Sequence, residues 1–229
     1  MISAATLHAQ TPSSSSSTPV RKPASRTAIA LDAGTVSAGV YRNSSLGFSC
    51  KIPPGWVLRT DDMREQVEAA QREAAEPDEQ KNAAAAKKSD IKAGAKVPGE
   101  AGRVLLAAFS RPPEARAADV NSSILIAAES AAAYPGLKQA AQYFEPVAEI
   151  ARAQGFLVVH EPYEFPMGSK TLVREDFQRD VGTRVMRQST LALLAQGRVV
   201  SFTFIGGTEE EVEELIQGLT FAASGKSGR

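Results

Sequence analysis

Residues 40–56 read Val-Tyr-Arg-Asn-Ser-Ser-Leu-Gly-Phe-Ser-Cys-Lys-Ile-Pro-Pro-Gly-Trp. From Leu46 the apolar side chains fall on every second position, at Leu46, Phe48, Cys50 and Ile52. That is the period of a strand with one buried face. Just before it, Asn43, Ser44 and Ser45 have short polar side chains that bond to nearby backbone and favour a turn. The stretch therefore reads as a hairpin, Val40–Arg42 against Leu46–Ile52, with Cys50 inside. Pro53, Pro54 and Gly55 end it, because proline has no N–H for the ladder and glycine accepts an unusual turn. Trp56, the only Trp, is expected as a core or rim anchor.

Downstream, Asp61–Ala75 reads as a helix with Thr60 as N-cap. Asp61 and Asp62 complement its positive end, and Met63, Val67, Ala70 and Ala74 form a thin apolar stripe. Val104–Phe109 and Ser123–Ala128 are apolar runs expected as buried strands. Leu137–Gln154 has helical spacing, with a kink expected at Pro146 and Gly155 in the C′ position. Phe156–His160 is the next expected strand. Lys170–Arg179, Thr183–Ala195 and Arg198–Ile205 then form a meander turning at Asp180-Val181-Gly182 and Gln196-Gly197. Thr208 stands three residues before Glu211, the spacing of a capping box, in which each side chain takes the other's free backbone N–H. Val212, Leu215 and Ile216 follow as a buried stripe, Gly218 ends the helix, and Leu219–Phe221 adds a terminal strand. Strands joined by tight turns, with helices inserted, make an α+β fold: a mostly antiparallel sheet covered by helices. Phe48, Ile52, Leu105, Ile124, Ile126, Phe144, Val158, Phe202, Phe204 and Leu215 are the expected core.

Upstream, residues 11–38 form a Ser/Pro tract with little to bury, read as a disordered tether. Residues 2–10, Ile-Ser-Ala-Ala-Thr-Leu-His-Ala-Gln, look like the end of a secretory signal whose basic and apolar parts lie further upstream. The expectation is an extracytoplasmic protein, periplasmic or secreted. Residues 78–102 are rich in Ala, Lys, Gly and Glu and read as a mobile insertion. Residues 39–221 are thus expected as one domain, and residues 222–229 as a disordered tail.

The motifs Tyr41-Arg42-Asn43, Leu46-Gly47-Phe48-Ser49 and Ile52-Pro53-Pro54-Gly55-Trp56 resemble the opening hairpin of the PsbP-like superfamily. The ending, Val199–Phe204, Gly207-Thr208-Glu209, a short helix and Leu219–Phe221, resembles it too. That group includes an extrinsic photosystem subunit and many bacterial proteins of unknown role. The resemblance implies a PsbP-like α+β sandwich over residues 40–221. The superfamily has no shared catalytic motif, so it carries no site residue onto this chain, and fold alone does not give function.

The chain has 229 residues, with 26 basic and 26 acidic side chains. A balance without a basic excess argues against nucleic-acid partners, which need clustered Lys and Arg to displace counterions. No apolar run is long enough to cross a bilayer. Cys50 is the only cysteine, so no intramolecular disulfide forms, and it reads as a small buried apolar group. A zinc site needs several His or Cys ligands, and the folded part offers His160 and Cys50. Glu175 and Asp176 are adjacent on one strand and point to opposite faces. With Asp180 they alternate with Arg174, Arg179 and Arg184, which reads as exposed cross-strand ion pairing. Gly206-Gly207-Thr208 has the position of an anion-binding loop, but Glu209, Glu210 and Glu211 repel a phosphate. His160 has only adjacent Glu161 as an evident carboxylate neighbour. The sequence therefore assigns no catalytic, cofactor-binding or metal-ligating residue and implies no cofactor. It points to a non-catalytic binding or accessory module with a protein or envelope partner. Two alternatives stand beside it: a small hydrolase or metal-assisted enzyme using His160 and nearby carboxylates, and a carrier of an apolar ligand. The enzyme needs His160 within hydrogen-bond reach of a carboxylate in a concave pocket. The carrier needs a lined cavity of roughly a few hundred Å³.

Overall fold

The computed structural model describes residues 31–75, 102–115 and 119–222. The expected insertion and tail, and most of the expected tether, lie outside them. The chain runs β1 (Thr35–Ser37), β2 (Val40–Asn43), β3 (Phe48–Lys51), β4 (Val57–Leu58), α1 (Thr60–Ala75), β5 (Arg103–Phe109) and β6 (Ser123–Ser130). It continues through two 3-10 turns, Ala131–Ala133 and Ala140–Tyr143, to α2 (Phe144–Ala153). Then come β7 (Leu157–Met167), β8 (Lys170–Val181), β9 (Arg184–Ala195), β10 (Arg198–Gly206), α3 (Glu209–Gln217) and β11 (Leu219–Phe221).

Two antiparallel sheets result. The small one is ordered β1-β2-β3-β11 and the large one β4-β5-β6-β10-β9-β8-β7. Together with the helices they make an α+β fold. Opposed residues in an antiparallel pair share a face, so the register divides the large sheet. Ile126, Phe202 and Leu191 are in line on one face, and Arg174 follows them on β8. Leu125, Thr203, Thr190 and Glu175 are in line on the other. The small sheet packs on the first face, where the Phe48 ring stands edge-on to Phe202 at 4.9 Å between centroids. α3 lies on that face too, its Glu213 paired with Arg174. On the second face, Met63 and Val67 of α1 rest on Val104, Ala107 and Phe109. There also Phe144, Val147, Ala148 and Ala151 of α2 pack with Phe156, Phe177 and Val199. Both faces are covered, so β10 is buried from Val199 to Gly206.

The local grammar holds at several points. Gln196 and Gly197 both have positive φ, 52° and 72°, as a two-residue hairpin turn with the strands' own twist requires. Gly155 has φ 83°, and the Gly155 and Phe156 N–H groups return to Arg152 and Ala151 carbonyls, closing α2 in a Schellman turn. Thr208 caps α3, its hydroxyl accepting the Glu211 N–H at 3.1 Å. The reciprocal half of the expected box differs: Glu211 accepts from the Gly207 N–H at 2.8 Å and from the Ser122 hydroxyl, tying the helix start to the residue that precedes β6. Thr208→Ala is expected to lower stability by about 1 kcal/mol, since one helix-end N–H loses its acceptor. A urea midpoint left unchanged would show that the Glu211 bonds hold the helix start alone.

Other expectations are corrected. Thr60 is the first residue of α1 rather than its N-cap, and its hydroxyl accepts the Ala107 N–H of β5 at 3.1 Å. The helix expected over 137–154 is a 3-10 turn followed by α2, and Pro146 sits in the first turn of α2. There its missing N–H breaks no bond and no kink is needed. The meander turns at Gly182-Thr183, because β8 runs on to Val181. Part of the expected tether is structured: β1 pairs with β2, held by Tyr41 and Asn43 side chains bonding to the Ala33 and Asp32 carbonyls. Nine of the ten expected core residues are buried; Val158 is half-buried because β7 is an edge strand.

Candidate functional site

β7 brings His160 beside β8. The register shifts between Val158 and His160 and again between His160 and Tyr163, which places His160 opposite Asp176. His160 Nδ1 stands 3.6 Å from Asp176 Oδ2. This carboxylate, not the adjacent Glu161, is the neighbour of the imidazole. It was invisible in sequence because the pairing depends on two bulges. Asp176 is already engaged by three donors. Arg174 Nε reaches one oxygen at 2.8 Å, the Ser189 hydroxyl bonds to the same oxygen, and the Tyr163 hydroxyl reaches the other at 3.1 Å. Arg174 also donates to Ser189 at 3.0 Å and pairs with Glu213 of α3. Burial alone would lower the Arg174 pKa, but the bonds to Glu213 and Asp176 outweigh it and raise it. Burial and the Asp176 charge push the Tyr163 phenol up to about 12.

The expected exposed cross-strand pairing is thus replaced by a buried Arg174–Asp176 pair along one strand. Arg179 instead lies over the Phe156 ring at 4.7 Å, and Arg184 pairs with Asp119. The His, Asp and Ser here do not form a nucleophilic relay. Such a relay needs the imidazole between hydroxyl and carboxylate, whereas Ser189 donates directly to Asp176 and is buried. Among the described residues no group of three His, Cys, Asp or Glu is placed to hold a metal ion.

Two carboxyls lie on the other face of the sheet. Glu129 is wholly buried on β6, with Tyr143 donating to one oxygen at 2.8 Å and Tyr134 bonding to the other. Burial pushes its pKa up to about 7 although the two tyrosine bonds pull it down. Glu175 is 2% exposed, and its Oε2 has no hydrogen-bond partner among the described residues. Burial raises it to about 7 against the pull of Arg152, with Asp176 and Glu161 adding to the rise. Glu129 was unreadable as a site in sequence because it sits in an ordinary strand, and Glu175, expected in exposed ion pairing, is instead buried. Beside them a cavity of about 50 Å³ lies between α1, α2 and the sheet, well short of what an apolar carrier needs. Cys50, fully buried between β2 and β11, has its thiol pushed by burial up to about 12, so the thiolate nucleophile is not available.

These features define an antiparallel α+β protein whose polar clusters are built into its interlayer packing. No family model matches the chain, and no curated protein matches it. Among solved structures it is similar to cyanobacterial PsbP from Synechocystis sp. PCC 6803, at 12% identity and TM-score 0.43, over 82% of this chain and 96% of that one. It is also similar to LpqN of Mycobacterium tuberculosis, a protein involved in cell envelope biogenesis, at 11% identity and TM-score 0.34, over 77% and 83%. A third, the Pseudomonas aeruginosa protein of unknown function PA94, aligns at 18% identity and TM-score 0.32, over 44% and 68%. With TM-scores below 0.5, none of the three assigns the chain to a fold family. Among the described residues no helix is long and apolar enough to cross a membrane.

Proposed function

We propose that the chain is an extracytoplasmic, PsbP-like accessory module, one domain on a tether, that binds a protein partner along the open edge of its large sheet. The observation that carries this reading is β7. It is an eleven-residue edge strand, and it exposes Leu157 at 64%, Val159 at 41% and Tyr163 at 39%. Apolar side chains grouped on a surface favour a partner that removes them from water. Pro162 and Pro166 lack N–H groups and β7 carries two register shifts, so the edge is poor at accepting another strand. The partner therefore contacts side chains, among them the ridge of His160, Tyr163 and Phe165, whose rings stand 6.5 Å apart in sequence.

The secretory character of residues 2–10 and the Ser/Pro tract support the location, and the hairpin at residues 40–56 supports the superfamily. The engagement of Asp176 by Arg174, Ser189 and Tyr163 favours a binding role over the hydrolase alternative. The test is a double substitution, Leu157→Arg with Val159→Glu. It is expected to leave the melting temperature nearly unchanged, because both side chains are exposed, and to remove proteins that crosslink to the wild type in envelope extracts. An unchanged crosslinking pattern would place the partner elsewhere on the molecule.

A further inference from the structure

Several turns meet at one end of the large sheet. The Ala131 N–H donates to the Gly197 carbonyl at 3.0 Å, joining the turn after β6 to the β9–β10 hairpin. Gln196 of that hairpin donates to the Ser45 carbonyl of the β2–β3 turn. The Ala222 N–H, just past β11, donates to the Gly47 carbonyl of the same turn at 2.9 Å. The Ser169 hydroxyl of the β7–β8 turn reaches the Ala222 carbonyl at 3.1 Å. These stretches bring Arg42, Lys170 and Arg198 to that end, the first two exposed and the third half-buried. No Asp or Glu lies in residues 43–48, 130–134, 166–171, 195–198 or 221–222. Asp32, whose carbonyl accepts from Asn43, is the acid joined to them, and its carboxylate is taken by the Gly34 N–H at 3.0 Å. At the opposite end, where β8 turns into β9 and β10 runs into α3, Asp119, Asp180, Glu209 and Glu210 stand with Arg111 and Arg184. Beside the joined turns, Arg42, Ser44, Ser49 and Thr220 line an open hollow of about 310 Å³ with no Asp or Glu in its wall. The Ser49 and Thr220 hydroxyls share a bond there at 2.9 Å.

We propose that this end of the sheet is laid against a membrane surface rich in anionic phospholipid, and that the hollow takes a headgroup phosphate. The Arg42 guanidinium gives the phosphate a charge-assisted hydrogen bond, and the two hydroxyls lie beside it. Each cation near such a surface strengthens attachment about fivefold. The chain outside the described unit joins at the same end, at Asp32 and at Ala222. In sequence, residues 1–31 hold Arg21, Lys22 and Arg26, and residues 222–229 hold Lys226 and Arg229, with no Asp or Glu in either stretch. A chain of zero net charge thus has its basic turns at one end and an acidic group at the other, and a charged surface orients such a molecule. The cations come one to a turn, spread over an end. That suits a flat surface, whereas a nucleic acid is met by a stripe of Lys and Arg along one groove or helix. None of Arg42, Lys170 and Arg198 belongs to β7, so the lipid contact stands or falls independently of the partner reading.

The experiment is co-sedimentation of the full chain with vesicles of phosphatidylcholine, with and without phosphatidylglycerol. Binding is expected only where phosphatidylglycerol is present. It is expected to be lost between about 0.1 M and about 1 M salt, where the screening length falls from about 10 Å to about 3 Å. The triple variant Arg42→Gln, Lys170→Gln, Arg198→Gln is expected to bind about a hundredfold more weakly. Should it fail to fold, Arg42→Gln with Lys170→Gln changes only exposed side chains and is expected to bind about twentyfold more weakly. Arg72→Gln, Arg152→Gln, Arg184→Gln removes the same charge from elsewhere on the surface and is expected to bind as the wild type does. Equal binding to both kinds of vesicle, or binding that survives the higher salt, would overturn the proposal. So would equal losses in the two triple variants, which would mean that net charge alone matters. A DNA duplex bound as tightly as the vesicles would overturn it too, since this end would then take any polyanion.

Discussion

Phe202→Ala is expected to lower the unfolding free energy by about 3–5 kcal/mol, the usual cost of deleting a fully buried phenylalanine ring. Phe202 is 0% exposed in the middle of β10, the strand at the centre of the large sheet. Its ring meets Phe48 of β3 at 4.9 Å and Phe221 of β11 at 6.0 Å, both edge-on. Those two rings belong to the small sheet, so Phe202 joins the sheets as well as filling the core. Removing it strips the partner atoms from both and leaves a void that two hydrogen-bonded sheets cannot close by shifting one side chain. Urea unfolding of the variant, with Phe202→Leu as a milder reference, measures the loss. A fall below about 1 kcal/mol for the alanine variant would mean that the sheets slide together over the gap.

The second large effect is a loss of stability as pH rises. Glu129 and Glu175 have folded-state pKa values raised to about 7, from an ordinary value of 4.5. Between those pH values the folded chain holds protons that the unfolded chain has released. Stability therefore falls as pH climbs from 4.5 to about 7 and is level above that. Each group contributes on the order of 2–3 kcal/mol to the fall. Glu129→Gln copies the neutral acid, since its amide can still meet both Tyr143 and Tyr134. The variant is expected to match the wild type near pH 4.5, to exceed it near pH 8, and to show about half the pH dependence of its melting temperature. A wild type whose stability is constant from pH 4.5 to 8 would mean that both carboxyls are ionised throughout and find partners in water.

What could be read from sequence was local. Alternation at Phe48, Cys50 and Ile52, the glycines at 155 and 197 and the Thr208 cap each report a preference acting over a few residues and appear where expected, whereas Leu46, expected on the strand, lies in the turn before β3. Pairing across the sheets was not local. β10 lies between β6 and β9, and β11 returns to β3 from the far end of the chain. No periodicity encodes either placement. The same holds for the polar clusters. Asp176 meets His160 only because β7 bulges twice, and Tyr143 meets Glu129 only because a 3-10 turn replaces the first part of an expected helix. Val158 was expected in the core, yet it is only half-buried and its neighbours Leu157 and Val159 are exposed, because β7 is the last strand of its sheet among the described residues. A strand's own residues do not say whether another strand follows.

Cys50 has a consequence of another kind. Its sulfur is fully buried, offers its hydrogen to the Lys51 carbonyl at 3.8 Å, and lies on the core-facing side of the small sheet with Tyr41, Phe48 and Leu219. A peroxide would have to lift the small sheet from the core before it could reach the thiol, and a second copy could not approach it without the same opening. The folded chain can therefore meet reducing and oxidising surroundings alike without forming a covalent dimer. Its reactivity toward thiol reagents becomes a clock for that opening, a count of how often the small sheet comes apart.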